Sequence, residues 1–211
     1  SIGGKVRVHE VGGEDTARIA IIIDDAAPAA SNQSFSIAET LGNGASVGTV
    51  VLDGPSGDQN SVTFSLTAGN TGNAFAINAT SGEITVKDTS AIDFEVSTQF
   101  TLTVELTDNN NGTDDTITVT VNITDVAPRP ADVILNVAES ATAGTSVGTV
   151  PLVAGSDLNG LTFSISSGNT GNAFAINSGT GEITVNNPSA IDNEIDPFSS
   201  LIVTVIDGTG D

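Results

Sequence analysis

The stretch Gly69-Asn70-Thr71-Gly72-Asn73-Ala74-Phe75-Ala76-Ile77-Asn78-Ala79-Thr80-Ser81-Gly82-Glu83-Ile84-Thr85-Val86 returns almost unchanged as GNTGNAFAINSGTGEITV at 168–185, 99 residues later. Self-similarity at a fixed period is the signature of a tandem architecture. The match extends in both directions. Ser46-Val47-Gly48-Thr49-Val50 recurs at 146–150 and Ala38-Glu39 at Ala138-Glu139. Ile92-Asp93-Phe94-Glu95 corresponds to Ile191-Asp192-Asn193-Glu194, and LTVELTD ending at Asp108 to LIVTVID ending at Asp207. The opening segment is related as well: Asp15-Thr16 through Asp25-Ala26-Ala27-Pro28 aligns with Asp115-Thr116 through Asp125-Val126-Ala127-Pro128. The expected organisation is therefore an orphan last strand and linker over 1–27, one repeat over 28–127, and a second over 128–211 without its own last strand.

Within a repeat the pattern is all β. Val62-Thr63-Phe64-Ser65-Leu66 and Phe100-Thr101-Leu102-Thr103-Val104-Glu105-Leu106 alternate apolar and polar residues, as half-buried strands do. Gly, Asn, Asp and Ser clusters at 42–44, 69–73 and 109–112 punctuate them as turns. No window carries a helical stripe. About seven short strands per hundred residues predict tandem Greek-key β-sandwiches of immunoglobulin-like architecture. Phe64, Phe75, Phe163 and Phe174 are expected in their cores, since the chain has no Trp.

Composition narrows the chemistry. The 211 residues include 26 Asp and Glu against 5 Lys and Arg, a formal charge of -21, with one His and no Cys, Met, Trp or Tyr. Without thiols there is no Cys nucleophile, disulfide or thiolate metal site, and His9 alone cannot build a zinc ligand set. Such acidity repels phosphate backbones and anionic membranes, so neither nucleic acid nor membrane insertion is expected. The longest apolar run, Ile19 to Ile23, is too short to cross a bilayer. A start at Ser1 with no Met anywhere suggests a processed protein or an excised fragment.

The acids are not scattered evenly. Glu39, Asp93, Glu95 and Asp108, with linker Asp125, lie at strand ends in the first copy, and Glu139, Asp192, Glu194 and Asp207 hold the same places in the second. Carboxylates crowded at one pole repel unless a cation joins them, and Ca2+ takes six to eight oxygens. Their recurrence in both copies, at the end of a turn, argues for ligation and against reading Asp93 and Glu95 as glycosidase carboxylates. No enzyme activity is expected.

The order of motifs, Phe75-Ala76-Ile77-Asn78, Ser81-Gly82-Glu83-Ile84-Thr85-Val86, Ile92-Asp93-Phe94-Glu95, Leu102 to Asp108 and Val121 to Pro128, resembles a cadherin-type repeat, here of a bacterial or archaeal surface type. The resemblance implies an extracellular or cell-surface protein for structure or adhesion, with Ca2+ stiffening each junction. It implies Glu39, Asp93, Glu95 and Asp125 as ligands from one side of the central junction and Asp157 and Asp207 from the other. Asp53 or Asp58, with Asp108, would receive the preceding junction. Two departures reduce the ligand count: the family linker DxNDNxP survives as Asp125-Val126-Ala127-Pro128, and its DxD element as Asp157 alone. Fewer ligands mean weaker binding or fewer ions.

The phase of the repeats predicts self-association. A sandwich lacking its last strand exposes an unpaired edge, and residues 15–24, with Arg18, Ile19, Ile21 and Ile23, form an apolar strand without a sheet of its own. Donation of this strand to the C-terminal domain of a neighbour gives an open head-to-tail filament. Asp24 and Asp25 would then join Glu139, Asp192 and Glu194 at the new junction. Residues 1–25 carry three cations against five acids and are the least repelled part of the chain. The alternatives are a stalk segment of a large adhesin cut at arbitrary points, and a Ca2+-dependent carbohydrate-binding module of a secreted enzyme holding a polysaccharide. Asn32, Asn78, Asn111 and Asn122 stand in Asn-x-Ser/Thr sequons and are candidate glycosylation sites.

Overall fold

Phe100, Leu102, Val104 and Leu106 point inward from one strand, and Ile117, Val119, Val121 and Ile123 from its neighbour; all eight are buried. This strict alternation over ten residues in each strand fixes their register, because a slip of one would turn every apolar side chain outward. The two strands belong to a computed structural model that describes residues 27–54, 61–109 and 114–208. The orphan segment with Arg18, Ile19, Ile21, Ile23, Asp24 and Asp25 lies outside the described residues, as do Asp58 and Asn111.

The N-terminal sandwich has seven strands: β1 (Gln33–Ala38), β2 (Ser46–Thr49), β3 (Val62–Ala68), β4 (Phe75–Ile77), β5 (Glu83–Val86), β6 (Gln99–Asp108) and β7 (Asp115–Thr124). One sheet has the order β1-β7-β6-β3 and the other β2-β5-β4. All pairings are antiparallel except β1 with β7, which is parallel. The sheets close over one apolar core that includes Phe64 and Phe75. There Phe75 of β4 meets Phe100 of β6 edge to face, with ring centroids 5.1 Å apart.

The second copy repeats this plan with β8 (Ser146–Thr149), β9 (Thr162–Ser167), β10 (Phe174–Ile176), β11 (Glu182–Val185) and β12 (Ile202–Ile206), in sheets ordered β10-β11-β8 and β12-β9. Phe163 and Phe174 are buried as expected. Residues 133–138, which align with β1, form no strand. The reason is local: β1 is held only by its ladder to β7, and the second copy has no counterpart of β7 among the described residues. The fold is all β; its helical content among the described residues is four 3-10 turns.

The duplicated GNTGNAF segment has a mechanical explanation. The Asn70 carboxamide accepts from the Phe75 N–H at 2.9 Å and donates to the Phe75 carbonyl at 2.8 Å, and Asn169 does the same for Phe174 at 3.0 and 2.8 Å. Gly69 and Gly168, at φ of +79° and +83°, lie so close to the carbonyls of Thr101 and Ser200 that a β-carbon would collide with them. Only glycine fits that approach.

Candidate metal centre between the two sandwiches

Glu39 directly follows β1 and is 3% exposed. Its Oε2 accepts the Phe94 N–H and its Oε1 the Val126 N–H, each at 2.8 Å. One carboxylate thus ties the end of β1 to the turn after Ile92 and to the linker after β7. Within that turn Asp93 Oδ1 accepts from Val96 N–H at 3.1 Å, and the Asp93 carbonyl accepts from Ser97 N–H at 2.9 Å. Asp93 thereby closes an Asx-type turn, and its carboxylate also lies against that of Glu95. Glu95, two residues on, has both carboxylate oxygens shielded from solvent.

The second sandwich contributes from across the junction. Asp157 is 2% exposed, and its two oxygens each accept from the Asn159 N–H at 3.1 Å. Asp207 follows β12 and is 4% exposed. Gly208 packs its backbone on the stem of Glu95, where a β-carbon would lie 2.6 Å from Glu95 Cγ. The linker is fastened by Ser156, whose Oγ accepts from Arg129 N–H at 3.2 Å, and by the Val153 N–H on the Arg129 carbonyl at 2.8 Å.

Two carboxylate groups of three result: Glu39, Glu95 and Asp157, and Glu95, Asp125 and Asp207. In each, one oxygen per residue lies within 4.8 Å of the others. Ligands at about 2.4 Å from a common Ca2+ are at most about 4.8 Å apart, and neither trio exceeds that span. Glu95 belongs to both. Burial raises the Glu39 pKa against the lowering by its two backbone donors, and the charges of Asp157 and Asp125 raise it further. Burial also pushes Glu95 up to about 7, with Glu39 and Asp157 adding to it. A cation would reverse this penalty. The donors are all hard oxygens, which suit Ca2+ and not a thiolate-seeking or imidazole-seeking metal.

Of the six residues expected at the central junction, the structure gathers Glu39, Glu95, Asp125, Asp157 and Asp207, and leaves Asp93 in the turn. Asp108, the counterpart of Asp207, is likewise 4% exposed; its N–H donates to Asp114 Oδ1 at 3.2 Å. Asp53 Oδ2 accepts from Ser31 Oγ at 2.8 Å. At the far pole of the second copy, Glu139, Asp192 and Glu194 share a shallow cleft with Ser140 and Ile191. Asp192 repeats the turn of Asp93, accepting from Glu194 and Ile195 N–H at 3.0 and 3.1 Å, and Glu139 accepts from Asn193 N–H at 3.3 Å. Glu139 is exposed where Glu39 is buried, since no following sandwich covers it among the described residues. Among the sequon asparagines, Asn32 accepts from Thr118 N–H and Asn78 caps its own turn at Thr80 and Ser81. Asn122 bonds Ser34, Phe35 and Gln99 from mid-strand.

Gly208, Ser156 and Asp114 were not legible as site residues. Gly208 alone had a signal, because the first copy has Asn109 at its place.

The family model for the cadherin domain matches residues 33–124. The chain is 33% identical over 178 residues to the Drosophila melanogaster protocadherin-like wing polarity protein stan, covering 78% of this chain and 5% of that protein. The human desmocollin-1 ectodomain is 21% identical with a TM-score of 0.45, over 87% of this chain and 38% of that one. Mouse cadherin-23 EC22-24 is 21% identical with a TM-score of 0.46, over 89% and 62%. The chain thus spans a small part of the curated relative it matches. The match to the cadherin domain falls on the N-terminal sandwich, and the tandem repeat of the chain is similar to that of cadherin-type proteins. Cadherin domains are extracellular adhesion modules that as a family bind Ca2+ and self-associate, and this chain's place is outside the cell or on its surface. No described helix is long and apolar enough to cross a membrane.

Proposed function

We propose that the chain is a stiffened segment of an extracellular structural or adhesive protein, in which Ca2+ joins the repeats 28–127 and 128–211 through Glu39, Glu95, Asp125, Asp157 and Asp207. The observation that carries this reading is the pair of carboxylate trios that meet at Glu95, two members of which come from the second sandwich. Bound Ca2+ supplies charge neutralisation and fixed coordination distances. The protein's part is to hold the carboxylates in place before the cation arrives: Glu39 through its two backbone donors, Asp157 through Asn159, and Glu95 through the turn closed by Asp93 and the backing of Gly208.

In this reading Asp93 acts as a turn former and a more distant ligand. Asp53 or Asp58, with Asp108, serves the preceding junction, and Glu139, Asp192 and Glu194 the following one. The role is mechanical, not catalytic. Copies associate head to tail, residues 1–27 of one engaging the C-terminal repeat of the next, with Asp24 and Asp25 completing that junction. Asn32 and Asn78, at the edges of strands, are the described sequons best placed for glycan.

Small-angle scattering of the full chain with Ca2+ and with chelator tests the reading. One narrow distribution of end-to-end lengths in Ca2+, broadened by chelator, supports it. A scattering curve indifferent to Ca2+ refutes it.

A further inference from the structure

Behind Glu95 the second sandwich stacks backbone on backbone. Gly208 rests on the Glu95 stem, and Gly160 lies against Gly208 in turn: a β-carbon on Gly160 would sit 3.4 Å from the Gly208 nitrogen. Gly160 occupies the bend between Asp157 and β9, at φ of +59°. The residue before it is Asn159, whose N–H is held by both Asp157 oxygens at 3.1 Å. Asn159 therefore stands between a buried carboxylate of the junction and the pair of glycines that backs another.

Asn followed by Gly is the most reactive amide sequence in a polypeptide. With no β-carbon on the second residue, its backbone nitrogen can swing onto the asparagine side chain. Attack of that nitrogen on Cγ closes a succinimide ring; the Cγ–Nδ2 bond breaks, and ammonia leaves with the proton of the glycine N–H. Water then opens the ring at one carbonyl or the other, giving aspartate or isoaspartate. The reaction needs only water. A fold suppresses it by keeping the two reacting groups occupied.

Two Asn-Gly pairs lie among the described residues, and the fold treats them differently. Asn43 and Gly44 are exposed, but Asn43 Oδ1 accepts from the Thr89 N–H at 2.8 Å and the Gly44 N–H donates to the Val86 carbonyl at 2.7 Å. Both the amide under attack and the attacking nitrogen are anchored. Asn159 and Gly160 are exposed as well, and among the described residues neither the Asn159 carboxamide nor the Gly160 N–H makes a hydrogen bond. Bonding, not exposure, separates the two pairs. The first copy carries Ser61 at the place of Gly160 and keeps the same φ of +59° with a β-carbon present.

We propose that Asn159 is a site of spontaneous deamidation, and that its conversion loosens the junction as the protein ages. Aspartate there adds a carboxylate two residues from Asp157. Isoaspartate adds the carboxylate and also lengthens the main chain by a methylene between residue 159 and Gly160, so that Gly160 shifts on Gly208 and Gly208 on Glu95. Either product brings negative charge to a place where Glu39, Glu95 and Asp157 already converge within 4.8 Å, which costs stability while no cation is bound. The inference does not rest on the cation.

The full chain is incubated at pH 7.5 in chelator, folded and in parallel in urea, and each asparagine is followed by peptide mapping with mass detection. In the folded chain Asn159 is expected to convert while Asn43 stays intact. In urea, where the hydrogen bonds of Asn43 and Gly44 are lost, the two convert alike. Gly160→Ser, the residue of the first copy, is expected to slow conversion at Asn159 to the level of Asn43. Isoaspartate chains, separated from unconverted ones by anion exchange and chromatography, are expected to melt at a lower temperature in chelator. Equal conversion of Asn43 and Asn159 in the folded chain, or an Asn159 that converts only in urea, overturns the site; an unchanged melting temperature of the isoaspartate chain overturns its effect on the junction. Every arm is run in chelator, so the outcome is separate from that of the Ca2+ experiments.

Discussion

The backbone of Gly208 rests on the side chain of Glu95, one residue from each sandwich, so closely that a β-carbon on Gly208 would fall 2.6 Å from Glu95 Cγ. Glu95 is the carboxylate shared by both trios, so this contact sets where the two groups meet. Gly208→Ala pushes Glu95 aside without touching either core. It is expected to weaken Ca2+ binding about tenfold, the range of changes behind a metal ligand. Calorimetric titration of the variant checks this, with an unchanged far-UV spectrum as control.

Glu39 serves the fold as well as the cluster. Glu39→Ala leaves the Phe94 and Val126 N–H groups without their acceptor, and costs about 2 kcal/mol in the absence of Ca2+. Glu39→Gln keeps an acceptor oxygen and costs less. Urea unfolding of both variants in chelator separates them.

The pH dependence should change sign with the cation. Glu39 and Glu95 are raised above the ordinary value of 4.5, Glu95 to about 7. Without metal, the folded chain therefore holds protons that the unfolded chain releases between about pH 4.5 and about pH 7, and stability falls as pH rises through that window. With Ca2+, binding requires both carboxylates deprotonated, so stability rises over the same window. Thermal melts at pH 5 and 7.5, each with Ca2+ and with chelator, show whether the two slopes oppose.

The repeated glycines are structural. Gly69→Ala and Gly168→Ala each place a β-carbon against a carbonyl, at positive φ. Each is expected to destabilise its sandwich by more than about 2 kcal/mol, far beyond the ordinary Gly-to-Ala effect in a loop. Guanidinium denaturation reads the loss.

The cores were legible because alternation carries their information: Leu102, Val104 and Leu106 read as inward from their spacing alone, and they are inward. The offset between copies likewise marks where the strands of the second sandwich fall in the chain. The cluster was half legible. Glu39, Glu95 and Asp125 are marked by their places at strand ends, but spacing does not say which oxygen points where. Asp93, at i to Glu95 at i+2, reads as a co-ligand; in the structure one of its oxygens closes the turn and its side chain meets that of Glu95. Gly208 and Ser156 act through a backbone approach and one hydroxyl, contacts between segments far apart in sequence.

The central claim is that cations close the junction between the sandwiches. Its most direct test is thermal unfolding of the full chain across a Ca2+ titration at pH 7.5, beside the same titration of Glu95→Gln. Mass action predicts that the wild-type melting temperature climbs with Ca2+, by the equivalent of about 2.7 kcal/mol at a hundredfold excess over the dissociation constant, while the variant responds far less. A wild-type melting temperature that does not move with Ca2+ would contradict the account.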